Sequence, residues 1–393
     1  MTREVAILGA GTTPFGELWE RSFRELITLA GLEAVKESNI EGQEIGAMYV
    51  GSMSAGRLIG QEHAGAMAVD EAGLAGLHLP AVRVEAGDAS GAVALRQGVL
   101  AVASGVHDVV VVGGVEKMTD VLEDETTRVL VSAADREWEG FFGATLPALY
   151  AMMARRHMHE YGTTREQLAA VSVKNHAHGA KNDRAAYPFT LTLDKVLDSP
   201  PVAEPLHVLD CAAPCDGAAA VVLAPLELAR ELVDDPVVVA ASEQASDTLA
   251  LHARASLTGI ASTRAAADRA YARARVRPAD IQVAEVHDSY TIAEILSIED
   301  LGFFPKGEGG SAAPKGLTTY GGRVVVNPGG GLKARGHALG ATGLAQAAEV
   351  VAQLRGTAGA RQVADAEVGL AHALGGTGGT AVVHVLRRAG GGR

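Results

Sequence analysis

Four short stretches combine residue types that can move protons or hold a developing negative charge. RVEAGDASGAVALRQG, Arg83 to Gly98, reads as a strand end, a tight turn and a helix, with Asp88 alone at the turn. A carboxylate there would sit among the orphan N–H groups that open a helix, where negative charge is stabilised. EVHDSYTIAEILSIEDLGF, Glu285 to Phe303, delivers His287, Asp288 and Tyr290 from a β-branched approach to a helix start. NPGGGLKARGHALGATG, Asn327 to Gly343, sets His337 in a glycine-rich turn, and GLAHALGGTGGTAVVHVL places His372 before a flexible Gly375–Gly379 loop. Histidine beside carboxylate or tyrosine is the material of general acid–base catalysis. Each stretch also has a bland reading. A His-Asp pair at a helix start caps it, and glycine runs serve turn geometry.

Other constellations are weaker. His157 and His159, and likewise His176 and His178, lie two apart on presumed helices and share no face, so no metal site is expected. LGAGTTPFG near the start does not complete G-x-G-x-x-G, which argues against a nicotinamide cofactor. Cys211 and Cys215, the only cysteines, make neither a disulfide framework nor a full metal site.

These stretches must be held by a sizeable scaffold. The chain has 393 residues, enough for two domains or one duplicated architecture. Short β-branched runs (Val5–Leu8, Val82–Glu85, Val109–Val112, Val221–Leu223, Val237–Ala240, Val324–Val326, Ala381–Leu386) alternate with helical patterns such as Phe23–Lys36, Ala92–Val102 and Gly343–Leu354. That alternation predicts an α/β fold with sheets buried on both faces. An internal echo sharpens it. Gly87 to Ala92 and Gly336 to Ala341 each follow a strand-like segment and open an Ala-rich helix, which suggests duplication with both turns facing one cleft. The halves are read as 1–118 with 211–240, and 241–393. Between them Thr119 to Asp210 becomes helical and irregular, an insertion covering the cleft.

The net charge of −13 is spread along the chain, which argues against nucleic acid or an anionic membrane surface as partner. No apolar run reaches the roughly 18 to 20 residues of a membrane helix. The opening residues carry no secretory pattern, so a cytoplasmic protein is expected.

Taken in order, the motifs identify a resemblance to the thiolase superfamily, closest to the archaeal and sterol-carrier-protein-type thiolases labelled acetyl-CoA acetyltransferase. It spans nearly the whole chain: AILGAGTTPFGE, VEAGDASGAVAL, GGVEKMTD, WEGFFGATLPALYAMMARRHMHEYGTT, LDCAAPCDGAAAVVLA, EVHDSYTIAEI, EDLGFFPKGEGG, NPGGGLKARGHALGATG and GGTGGTAVVHVL. The resemblance implies two βαβαβαββ halves in a duplicated, five-layered αβαβα thiolase fold with an inserted loop domain. It implies a CoA thioester as substrate with no permanently bound cofactor, and a homodimer or homotetramer. His287 of HDSY would contribute to an oxyanion hole for the thioester carbonyl, and His337 of GHAL would activate the nucleophile. Ser90, Gly330, Gly375 and Gly376 are expected to contact the CoA thioester.

One position departs. The family's nucleophilic cysteine falls on Asp88, preceded by Ala86-Gly87. Nearby, Ala338 replaces the proline after Gly-His, and Ala373 stands where relatives carry a second cysteine or an asparagine. Neither Cys211 nor Cys215 matches a nucleophile motif. A carboxylate attacking a thioester would give a water-labile mixed anhydride, whereas thiolysis needs a soft nucleophile. Asp88 paired with His337 is better suited to taking a proton from a hydroxyl or an α-carbon. Three activities therefore compete: acyltransfer without the usual acyl-enzyme, aldol or retro-aldol chemistry on an acyl-CoA, and non-catalytic CoA-thioester binding within a complex. Thiolase-like aldolases lacking the cysteine work with an OB-fold and zinc-ribbon partner and lean on tyrosines, which makes Tyr290 a proton carrier and Tyr320 a weaker one.

Overall fold

Gly217–Pro225, GAAAVVLAP, is buried along its whole length, and its two faces enter different cores. Ala219, Val221 and Leu223 pack with Leu95, Val112, Leu344 and Val350, while Ala218, Ala220 and Val222 pack with Leu26, Ile27 and Ala30. A strand covered on both sides reads as a continuous apolar run, because neither face has to be polar. The computed structural model describes residues 3–390.

Ten strands form the main sheet: β1 (Val5–Thr12), β2 (Ala47–Gly51), β3 (Ala81–Val84), β4 (Val110–Glu116), β5 (Gly217–Pro225), β6 (Val237–Ser246), β7 (Val283–Glu285), β8 (Val325–Val326), β9 (Val368–Gly375) and β10 (Thr380–Arg388). Their order is β3-β2-β4-β5-β1 followed by β6-β10-β9-β7-β8. Adding five to each strand of the first half gives the second half read backwards. The directions repeat as well. β2 pairs parallel with β3 and β4, and β7 does so with β8 and β9; the remaining ladders in each half are antiparallel. Within the sheet, the ladder between the halves has two residue pairs, Ala6 with Val238 and Ile7 with Val237. The duplication is therefore in the topology itself. β6 runs through the boundary read at residue 240 and is the first strand of the second half, so we place the junction before Val237.

The helices that matter here are α1 (Phe23–Ser38), α2 (Ser90–Ser104), α3 (Leu146–Tyr161), α4 (Arg165–Gly179), α5 (Ala261–Ala274), α6 (Thr291–Asp300) and α7 (Leu339–Arg355). In α7, 15 of 17 residues are buried, so it has no solvent face and must be central. It packs on α2, on β4 and β5 of one half, and on β7 and β9 of the other. α1 covers the outer face of the first half and α5 that of the second, which completes the layers αβαβα. The segment between β4 and β5 carries α3, α4 and a small ribbon of Pro201–Ala203 with Leu206–His207. Its core is shared with α6 and with Leu374 and Ala381, so it is packed onto the second half instead of forming a separate core. Among the described residues, no helix is long and apolar enough to cross a membrane.

The central helices start close together because glycine holds the second position of each: Gly91 of α2 lies against the Gly340 carbonyl oxygen of α7. A Cβ on Gly340 would lie 2.5 Å from the Gly51 carbonyl oxygen and 2.6 Å from that of Val115, both backbone atoms of neighbouring strands. Gly340→Ala is therefore expected to destabilise the chain by about 3 kcal/mol through overpacking that nothing nearby can relax. Chemical denaturation checks this, and a loss below about 0.5 kcal/mol would contradict the close approach.

Candidate active site

Asp88 is positioned by a turn that permits few other sequences. Gly87 has φ +62°, and Ser90 Oγ donates to the Gly87 carbonyl at 2.5 Å while accepting the Ala86 N–H at 3.0 Å. The chain then enters α2, leaving Asp88 2% exposed one residue before the N-cap, Ala89. His337 is set by the matching turn before α7. Gly336, at φ +114°, lies against the Cys215 sulfur, and the Cys215 N–H donates to the His337 carbonyl at 3.3 Å. His287 leaves the end of β7 and is fully buried. Asp288 next to it accepts N–H bonds from Leu332 and Lys333 and an amide bond from Asn175, so it orders the Gly331–Arg335 turn of helix.

The three side chains meet. Asp88 Oδ2 lies 3.3 Å from His337 Nε2 and 3.8 Å from His287 Nε2, and the imidazole rings sit edge to face with centroids 5.4 Å apart. The Thr342 hydroxyl donates to the Ala338 carbonyl at 3.0 Å, so in its 2.9 Å contact with His337 it accepts from Nδ1–H. His337 Nε2 then turns its lone pair toward a carboxylate oxygen, and one proton must lie between the two acceptors. Asp88 Oδ1 and both His287 nitrogens are buried without a partner. Burial first, then His337 and His372, hold the His287 pKa well below the usual imidazole range, so this ring is neutral. Burial alone brings His372 down to about 3, and its Nε2 contacts the Thr263 hydroxyl at 2.9 Å.

Around this centre, Tyr290 is 6% exposed, and its ring centroid lies 4.5 Å from that of Tyr150. Burial raises both phenols, reinforced at each by the Asp88 charge, so both remain protonated. Tyr150 donates to the Gly376 carbonyl at 2.8 Å. Gly375 closes against the Ala86 carbonyl, and Ala373 packs with Ala86, Ala89 and Ala92 behind the Asp88 turn.

Some expected site residues are used differently. Ser90 is fully buried, and its hydroxyl proton is donated within the turn. Gly330 packs against Gly179 and Ala334 at the start of the Gly331–Arg335 helix, where its φ of +101° answers a backbone need. Tyr320 donates to the Arg361 carbonyl at 3.1 Å and lies under Lys181, outside the proton network. His157 is bonded to Thr163 and Glu299, and His178 to Asn327 and Thr319. Burial pushes the Cys211 thiol up to about 12 and Cys215 higher still, so neither supplies a thiolate. Tyr150 and Thr342 are missing from the sequence reading. Tyr150 is one aromatic among many apolar residues of the insertion, and Thr342 carries no signal until the fold brings it back onto His337. A cavity of about 560 Å³ lined by Thr12, Phe15, Arg184, Arg335, Glu349 and Arg361 includes none of the three central residues.

Asp88 and His337 thus stand at the starts of the two central helices, with His287 brought to them from the end of β7. The family models for the thiolase N-terminal domain and the thiolase C-terminal domain-like region match residues 5–227 and 243–388, and this chain belongs to the thiolase family. It is 56% identical to an acetyl-CoA acetyltransferase of Methanothermobacter thermautotrophicus, over 98% of this chain and all of that protein. It is 33% identical to human sterol carrier protein 2, over 98% of this chain and 72% of that one. Among solved structures it resembles the Ltp2-ChsH2(DUF35) aldolase, with TM-score 0.86 and 29% identity over 98% of this chain and 97% of that one.

Proposed function

We propose that this protein makes or breaks a carbon–carbon bond of a CoA thioester by acid–base chemistry, without a cysteine acyl-enzyme, and that its cleavage reaction is retro-aldol scission of a β-hydroxyacyl-CoA. The observation that supports this reading is the divided use of the Asp88 carboxylate: Oδ2 rests on His337 while Oδ1 is unpartnered. Oδ1 takes the β-hydroxyl proton, and the Cα–Cβ bond breaks to release an aldehyde or ketone. The electron pair moves into the thioester carbonyl, whose oxygen His287 Nε2–H holds as an enolate. Tyr290, kept protonated by burial, gives a proton to Cα and is reprotonated by the proton Asp88 took, so the net transfer is from the β-hydroxyl to Cα, and acetyl-CoA, or a longer acyl-CoA, leaves. The Gly375–Gly376 turn borders the thioester, and CoA arrives as part of the substrate with no cofactor held permanently.

Identity of 56% to an acetyl-CoA acetyltransferase favours a second reading, acyltransfer at the same site. A third, a CoA-thioester-binding subunit, draws on the two-component name of the aldolase neighbour. We propose a homodimer or homotetramer in the cytoplasm, with a second polypeptide of OB-fold and zinc-ribbon type as partner. Trp138, Phe141 and Phe142, each at least 65% exposed on the insertion, support such a docking face.

The test incubates the purified chain with 3-hydroxyacyl-CoAs of graded length and follows acyl-CoA and carbonyl products together. Cleavage is expected without added CoA, and Asp88→Asn should lose about 10³-fold of it. Thiolysis of acetoacetyl-CoA by the parent chain at an enzymatic rate, with no aldehyde or ketone released from any hydroxyacyl-CoA, would establish the acyltransfer reading instead.

A further inference from the structure

His337 Nε2, His287 Nε2 and Asp88 Oδ2 are three acceptor-capable atoms pointed at one small volume. They come from three separate segments, and the ligand atoms of the three residues all lie within 4.8 Å of one another. Thr342 fixes His337 with its lone pair inward. His287 has no hydrogen bond at either nitrogen, although both are buried. One proton between Asp88 and His337 leaves His287 unsatisfied.

We propose that Asp88, His287 and His337 form a binding site for one divalent transition-metal ion of the zinc and cobalt class. Two imidazoles and a carboxylate are a donor set such ions accept, at about 2.0–2.2 Å each. Donors at that radius in a tetrahedral shell lie about 3.4 Å apart. The observed 3.3 and 3.8 Å need only side-chain adjustment to meet this. Thr342 supplies the outer hydrogen bond that orients a metal-ligating imidazole. On binding, the ion takes the place of the proton shared by Asp88 and His337, which leaves to solvent; no electron is transferred. The bound ion occupies the atoms the retro-aldol reading uses, so the metal-loaded chain is a second, proton-inactive state of the site. This inference does not depend on which carbon–carbon reaction the protein performs.

Titration of the chelator-treated full chain with Co²⁺, without substrate, tests it. The expected result is one ion per chain, intense visible d–d bands of a four-coordinate site, Kd below about 10 μM and displacement by Zn²⁺. Asp88→Ala and His287→Ala should each weaken binding at least about 100-fold, and Thr342→Val, which removes no ligand, about 10-fold. Folding of each variant is followed by its thermal midpoint. Weak, octahedral-type absorption from the parent chain, or full affinity in a folded Asp88→Ala variant, overturns the proposal. Failure to cleave hydroxyacyl-CoAs would sink the proposed reaction and leave this titration unchanged.

Discussion

Asp88→Cys is expected to raise CoA-dependent cleavage of acetoacetyl-CoA by at least about 10³-fold over the parent chain. The magnitude follows from what removing a nucleophile costs enzymes that work through a covalent intermediate, commonly 10⁴- to 10⁶-fold. Two further groups of a thiolysis site are in place, although Ala373 stands where relatives carry a second cysteine or an asparagine. The residue stands just before α2, where helix-end N–H groups favour a thiolate, and His337 Nε2 is 3.3 Å away with its lone pair directed inward. His287 is buried and free to hold a thioester oxygen. A cysteine is smaller than aspartate, so the turn made by Gly87 and Ser90 should accept it unchanged. Appearance of acetyl-CoA is followed for both proteins under identical conditions. An active parent chain would mean that Asp88, or a group not identified at this site, carries the acyl group after all. Two inactive proteins would mean that thiolysis needs more than the groups assembled around position 88.

Much of this could be read from the sequence, for a particular reason. Glycine turns before Ala-rich helices are rare enough that Gly87–Ala92 and Gly336–Ala341 could be matched, and the strand order repeats as that match requires. Strand ends were harder. β1 continues from Leu8 to Thr12 through Gly-Ala-Gly because Gly9 and Gly11 lie directly against the α1 backbone at Ala34 and Ala30, where a larger residue would not fit. Composition alone makes that stretch a loop. β2, Ala47–Gly51, is five residues with a single β-branched side chain and carries no strand signal of its own; its place comes from parallel ladders on both sides. At the site, Asp88, His287 and His337 come together from segments up to 249 residues apart. The echo of Gly87–Ala92 in Gly336–Ala341 brings the Asp88 and His337 turns to one cleft, whereas His287 joins them only through the family pattern, since no local spacing encodes it. Thr342 and Tyr150 act through contacts that exist only in the folded chain.

Asp216→Ala is expected to cost about 4 kcal/mol or more, the largest stability loss predicted for a single substitution here. Asp216 precedes β5 and Lys117 follows β4, so the two close the base of the 117–216 excursion. Their 2.7 Å ion pair is buried, with side-chain exposures of 1% and 0%. Asp216 also accepts from the N–H groups of Leu18, Met118 and Thr119 and from the Thr119 hydroxyl, at 2.6 to 3.0 Å. Truncating the carboxylate therefore leaves a buried ammonium without Asp216 and strands several donors, which is the costly way to break such a pair. Burial raises the pKa of Asp216, but the bonds from Lys117, Thr119 and Met118 outweigh it and hold the group below the ordinary carboxylate value. A depressed folded pKa contributes stability that is complete above the unfolded value and lost only as pH falls through the folded one. The deficit of the variant should accordingly be the same at pH 5 and pH 8, and should shrink only in acid below about pH 4. Replacing both partners with apolar residues, Lys117→Met with Asp216→Leu, should be less damaging than losing the carboxylate alone, because no buried charge remains. Urea unfolding across that pH range measures all three. A deficit under about 1 kcal/mol for Asp216→Ala would show that Asp120, 2.6 Å from Lys117 Nζ, or solvent satisfies the ammonium, and that the excursion is held by the core it shares with α6 instead of by this pair.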